Sequence, residues 1–120
     1  MNYIVMDLEW NQSYSGHIGE HPRMPFEIIE IGAVKVDKNL HIVDEYSSLI
    51  KPRIYKKLHS KIRTILNYDE SDLAKGRGFK EVCTEFLEWC GDDYIFCTWG
   101  PMDLTELQVN MDFYLSLIHI

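Results

Sequence analysis

Near the N-terminus, residues 3–9 run Tyr-Ile-Val-Met-Asp-Leu-Glu, apolar and partly β-branched until two acids interrupt. This predicts a buried strand over residues 3–8 that delivers Asp7 and Glu9 at its end. Side chains two apart on a strand share a face, roughly 6.6–6.8 Å from one another along it. Tyr3, Val5, Asp7 and Glu9 then point one way, and Ile4, Met6 and Leu8 the other. Two carboxylates on one face repel each other and are costly to desolvate. Either the strand has emerged into water there, or a divalent cation sits between the acids.

Working outward, residues 11–25 hold two glycines, two prolines, two serines and two histidines and read as a loop. Residues 26–36 (FEIIEIGAVKV) form a second strand, Asp37-Lys38-Asn39 a turn, and residues 40–50 a third strand closed by Lys51-Pro52. Three strands joined by turns predict an antiparallel meander. The period then changes. Leu58, Ile62, Ile65 and Leu66 fall at the spacing of a short helix, and so do Phe79, Val82, Cys83, Phe86, Trp89 and Cys90, with Gly91 as a C-terminal stop. Residues 94–99 (YIFCTW) read as a buried parallel strand broken by Gly100-Pro101, and residues 102–114 as a helix. The expected fold is α/β, a mixed sheet with flanking helices.

With 120 residues the chain suits one domain. Its 46% hydrophobic and 26% charged residues exclude disorder, coiled coil and collagen. No apolar run approaches a bilayer span and no secretory leader opens the chain, so no membrane partner is expected. Three cysteines without a CxxC pair argue against a disulfide framework and for a reducing cytoplasm. Cys83, Cys90 and Cys97 are read as core. Twelve basic against nineteen acidic residues give a net charge of −7, which disfavours a broad nucleic-acid-gripping face unless bound metal reverses the local field. Half of the basic residues, Lys51, Arg53, Lys56, Lys57, Lys61 and Arg63, nevertheless crowd into 13 positions. They are either a solvated face or a patch that steers phosphates. His17 and His21 form an H-x-x-x-H pattern, read as two solvated loop histidines rather than a zinc site.

Asp103 follows the fourth strand at the start of a helix. Capping alone would explain it, yet open α/β sheets place their ligands at such strand ends. If the YIFCTW strand lies beside the first, Asp7, Glu9 and Asp103 converge. Three converging carboxylates are the geometry of a two-metal hydrolase acting at phosphorus.

The blocks IVMDLEW, FEIIEIGAVKVD and FCTWGPMDLTEL together resemble the DEDDh-type 3′–5′ exonucleases of the DnaQ-like, RNase H-like superfamily, and within it the KapD and histone-mRNA 3′ exonuclease branch. The resemblance covers residues 2–114 in the family's order. It implies an RNase H-like mixed sheet (a three-strand meander plus a parallel strand) and hydrolysis of terminal phosphodiester bonds of RNA or single-stranded DNA. It implies two Mg²⁺ or Mn²⁺ ions as cofactors and a nucleic-acid 3′ end as partner. Carried over, Asp7, Glu9 and Asp103 are the catalytic and metal-binding residues. Leu8, Trp10 and Trp99 are candidate substrate contacts, Trp10 either stacking on a terminal base or closing the core edge. Glu30 matches a frequent second-strand glutamate and is otherwise a strand acid paired with a neighbouring base.

The family's third motif, a histidine with an aspartate a few residues later, is not found: after Asp112 the chain has no acid, and His119 is followed only by Ile120. Residues 115–120 (LSLIHI) match a translated transposase-end sequencing adapter letter for letter, so a non-native tail is expected there; the alternative is a short natural C-terminal strand. The expectation is residues 1–114 as the N-terminal portion of an exonuclease domain, incomplete at its C-terminus. The alternatives are a catalytically inactive nucleic-acid-binding module or a non-functional gene fragment of the same fold.

Overall fold

A computed structural model describes residues 1–115; all of the suspected tail except Leu115, His119 included, lies outside the described residues. The sheet is built on β1 (Asn2–Asn11). Along one edge β1 pairs antiparallel with β2 (Glu27–Asp37), which pairs antiparallel with β3 (Ile42–Leu49). On the other edge β4 (Tyr94–Cys97) runs parallel to β1, giving the order β3-β2-β1-β4. The meander and the parallel strand stand as the sequence predicts. The fourth strand is shorter than expected, ending at Cys97 rather than residue 99. The chain turns away there because the Thr98 hydroxyl donates to the Gly100 carbonyl and Gly100 adopts a φ of 84°, open to glycine without strain.

The two-residue alternation of β1 decides which face is covered. Ile4, Met6 and Leu8 are buried, whereas Val5 and Asp7 are exposed. Onto the buried face pack α3 (Phe79–Cys90) and α4 (Met102–Tyr114). α3 contributes Phe79, Val82, Cys83, Phe86 and Cys90 from one stripe and ends at Gly91, whose φ of 83° reverses the chain. Phe86 is the largest fully buried side chain, so Phe86→Ala costs about 3–5 kcal/mol. Of the three cysteines expected in the core, Cys83 and Cys90 are there. Cys97 instead lies beside Val5 on the open face, half-exposed.

α4 is held differently. Its inward face carries Asp103, Glu106, Leu107, Asn110 and Met111, more polar than apolar. Leu107 and Met111 fill the core, while Asn110 ties the helix to the start of β2. Its Oδ1 accepts from the Ile28 N–H at 3.0 Å, and its Nδ2 donates to the Phe26 carbonyl at 3.1 Å. Leu115 caps α4 through the Met111 carbonyl and is buried.

Between β3 and α3 lie two short helices, α1 (Ser60–Ile65) and α2 (Glu70–Ala74). The sequence reading lacks α2, which is five residues long and secured by a reciprocal Asp69–Asp72 capping box. With Ile29, Leu49, Leu58, Ile62 and Tyr68, its Leu73 builds a second, smaller core beside Glu30.

Candidate active site

β4 releases β1 at Val5, so the last residues of β1 pair with no strand on that edge among the described residues. α4 begins beyond the end of β4, and Asp103 in its first turn lies close enough to the Leu8 backbone for that N–H to bear on its carboxyl. Burial pushes the Asp103 carboxyl above its ordinary range. The Leu8 N–H opposes that rise, and the charge of Asp7 adds to it. Glu9 is pushed up as well, by burial first and then by Asp7, Glu30 and Asp103 in turn. Asp7, Glu9 and Asp103, singled out from the sequence, are therefore electrostatic neighbours at one end of β1.

Among the described residues Glu30 forms no ion pair with a base. It faces Glu9 directly across the β1–β2 ladder, and its Oε1 accepts the Tyr68 hydroxyl at 2.9 Å. Burial, this hydrogen bond, and the charges of Glu30 and Glu9 all push the Tyr68 phenol up. Tyr68 escaped the sequence reading because 38 residues separate it from Glu30 and no local pattern links them. A β-bulge between Glu9 and Trp10 breaks the strand's alternation at this point.

The candidate substrate contacts are placed unequally. Leu8 turns its side chain into the core and reaches the acids only through its N–H. Trp10 is half-buried, its ring 5.8 Å from that of Phe26. Trp99 is wholly exposed and, with Val5, Asp7, Val34 and Cys97, lines a groove of about 680 Å³ on the open face of the sheet. Glu106, one turn after Asp103, was also missed. It is 6% exposed, its Oε2 has no hydrogen-bond partner among the described residues, and burial raises its carboxyl. His17 pairs with Glu20 at 3.1 Å, and His21 sits edge-on to Phe113; both belong to the loop, which contains one 3₁₀ turn at Gly16–Gly19.

As placed, no three His, Cys, Asp or Glu side chains among the described residues stand at metal-holding spacing. The donor chemistry nonetheless fits a hard cation. Asp7, Glu9, Glu30 and Asp103 offer oxygen only, and among the described residues none forms an ion pair with Lys or Arg.

An antiparallel meander extended by one parallel strand, with carboxylates gathered where that strand ends, defines an α/β protein of the RNase H-like exonuclease fold. Residues 4–112 match the model of the exonuclease family RNase_T, and the chain belongs to that family. It is 37% identical over 107 residues to a PolC-type DNA polymerase III of Thermotoga maritima, covering 89% of this chain and 7% of that protein. It is 29% identical over 89 residues to the probable 3′-5′ exonuclease KapD of Bacillus subtilis, covering 72% of this chain and 42% of KapD. The nuclease domain of 3′hExo, a DEDDh family member solved with rAMP, shares the fold with a TM-score of 0.76 at 20% identity, over 93% of this chain and 58% of that one. The cell-death related nuclease CRN-4 does so with a TM-score of 0.79 at 19% identity, over 99% of this chain and 41% of that one. The chain thus spans less than two thirds of each of these relatives.

Proposed function

We propose that this chain carries the first two carboxylate motifs of a 3′-to-5′ exonuclease that hydrolyses terminal phosphodiester bonds of RNA or single-stranded DNA. The observation that carries this reading is the exonuclease-family match over residues 4–112, together with the placement of Asp7 and Glu9 on one face of β1 beyond the point where β4 ends and α4, bearing Asp103 in its first turn, begins. Asp7, Glu9 and Asp103 would hold divalent cations, Mg²⁺ or Mn²⁺. Such ions supply an activated water and charge stabilisation at phosphorus. The chain's own share is positional. β1 fixes Asp7 and Glu9 on one face, the start of α4 brings Asp103 toward the Leu8 backbone, and the Tyr68 hydroxyl orients Glu30.

In this reading the general base and a fourth carboxylate come from sequence that follows α4, and residues 1–114 form the N-terminal portion of the domain. One structural neighbour is a 3′-exonuclease engaged in 3′-end specific recognition of a histone mRNA stem-loop. Others are Exonuclease I of E. coli in complex with dT13 or dA13 oligonucleotides. Those ligands favour a nucleic-acid 3′ end as the partner here. Three unpaired thiols suit a reducing compartment, and the cytoplasm is the proposed location.

The test is Asp7→Asn and Glu9→Gln in the full-length protein, assayed on a 5′-labelled oligonucleotide with Mg²⁺. Loss of the shortening ladder with an unchanged circular dichroism spectrum supports the assignment. Digestion at the parental rate by either variant refutes it.

A further inference from the structure

The six basic residues crowded into positions 51–63 are not used by the acid site, and the structure separates them. Arg63 is neutralised by Glu70, whereas Lys51, Arg53, Lys56, Lys57 and Lys61 are exposed and have no ion pair among the described residues. The segment carrying Arg53, Lys56 and Lys57 has no regular secondary structure, yet two buried side chains fix its backbone. Glu27, 2% exposed, accepts the N–H groups of Arg53 at 2.9 Å, Ile54 at 3.2 Å and Tyr55 at 2.9 Å, together with the Tyr114 hydroxyl. Asn11, fully buried, donates to the carbonyls of Tyr55 at 3.0 Å and Lys57 at 2.9 Å and accepts the His59 N–H at 2.9 Å. Pro52, Tyr55 and Leu58 turn inward, which leaves Arg53, Lys56 and Lys57 facing water.

Two further features give this ridge a direction and a chemistry. Asn11 stands two residues after Glu9 on the same strand, so the side chain that pins the ridge is rooted beside the acids. The Lys57 ammonium lies 3.8 Å from the centre of the Tyr14 ring, which is itself half-exposed, setting an aromatic face among the cations. Cations that follow a backbone, interleaved with an aromatic platform, are what a single nucleic-acid strand binds. In a chain of net charge −7 such a rigid positive ridge is a local exception.

We propose that the segment bearing Arg53, Lys56 and Lys57, held by Glu27 and Asn11, is the track along which the sugar–phosphate backbone of a single-stranded substrate lies, upstream of the bond that reaches Asp7 and Glu9. The proposal rests on the nuclease reading for its direction, though not for the binding itself.

The experiment measures the fluorescence anisotropy of a labelled single-stranded oligonucleotide with the full-length protein across a salt series. It compares the parent, the Arg53→Gln/Lys56→Gln/Lys57→Gln triple variant, and the charge-keeping Lys56→Arg/Lys57→Arg variant. The triple variant should bind about 10–100-fold more weakly, and its log Kd against log salt should flatten by about 2, the three lost phosphate contacts at roughly 0.7 each. The charge-keeping variant should retain parental affinity. Unchanged affinity and slope in the triple variant overturn the track, as does a parent that binds anionic vesicles or polyglutamate but no oligonucleotide. Asp7→Asn, assayed in parallel for hydrolysis of a dinucleotide, reports on the acid site alone. If it abolishes hydrolysis while the triple variant binds normally, the track fails and the nuclease reading survives. If it leaves hydrolysis intact while the triple variant loses binding, the reverse holds.

Discussion

Glu9 and Glu30 stand directly opposite each other across β1 and β2, an acid-on-acid pair next to the bulge near the end of the ladder. Like charges so placed destabilise a sheet. Among the described residues the Tyr68 hydroxyl, donating to Glu30, softens the pair. A divalent ion held between the two acids would turn this unfavourable contact favourable.

That cost should be measurable. Glu9 has its folded value raised above the ordinary 4.5, so its penalty is fully present above the folded value and disappears below 4.5. Glu9→Gln should therefore raise the melting temperature of the metal-free protein at neutral pH, by roughly 0.5 kcal/mol in stability. The gain should shrink as pH falls toward 4.5. Mg²⁺ should raise the Tm of the parent more than that of the variant, because a ligand that binds only the folded state stabilises by mass action. Equal melting curves for the two proteins with and without Mg²⁺ would remove the acid pair from any metal site.

The attachment of α4 gives a second expectation. Asn110→Leu keeps the branching and heavy-atom count of the side chain but leaves the Ile28 N–H and the Phe26 carbonyl without their partner. Urea titration should show a loss of about 2–4 kcal/mol. A loss below about 1 kcal/mol would mean that Leu107 and Met111 hold the helix without help.

Acid should act through a different pair. Hydrogen bonds from Arg77, at 2.8 and 2.9 Å, and from the Tyr46 hydroxyl hold the Glu85 carboxyl down at about 2. A lowered folded value means that this stabilisation is present above the ordinary 4.5 and is lost as pH falls through about 2. Acid titration of the parent should show a component in that window that Glu85→Gln lacks. Its size should be small, because the cluster is open to water.

The thiols should separate by reactivity. Burial pushes Cys83 up to about 12 and Cys90 up to about 11, whereas Cys97 is half-exposed on the open face. A thiol reagent at pH 8 followed by mass spectrometry should find Cys97 modified first, with Cys83 and Cys90 reacting only on unfolding. Simultaneous labelling of all three would contradict the packing of α3.

What the sequence reveals of this molecule follows from which patterns are periodic. β1 was legible because Ile4, Met6 and Leu8 alternate with Val5 and Asp7, and the same parity put Asp7 and Glu9 on one face. α3 was legible from its single apolar stripe. The packing of α4 was not, because its inward face is Asp103, Glu106 and Asn110 as much as Leu107 and Met111, so no apolar stripe marks it. The short α2 depends on a cap rather than a period. Glu30 and Tyr68 meet only through the tertiary fold, and the Glu27 clamp on residues 53–55 joins positions more than 25 apart. Strand parity locates acids; it does not disclose the side chains that other elements bring to them.

Of the three tryptophans, Trp10 and Trp89 are half-buried, whereas Trp99 stands fully in water at the rim of the groove that Asp7 borders. The molecule therefore has an intrinsic optical reporter at the edge of its acid cluster. Anything that settles onto the open sheet face, whether polypeptide or nucleobase, must strip water from that indole, and the protein's own emission will shift to the blue in proportion.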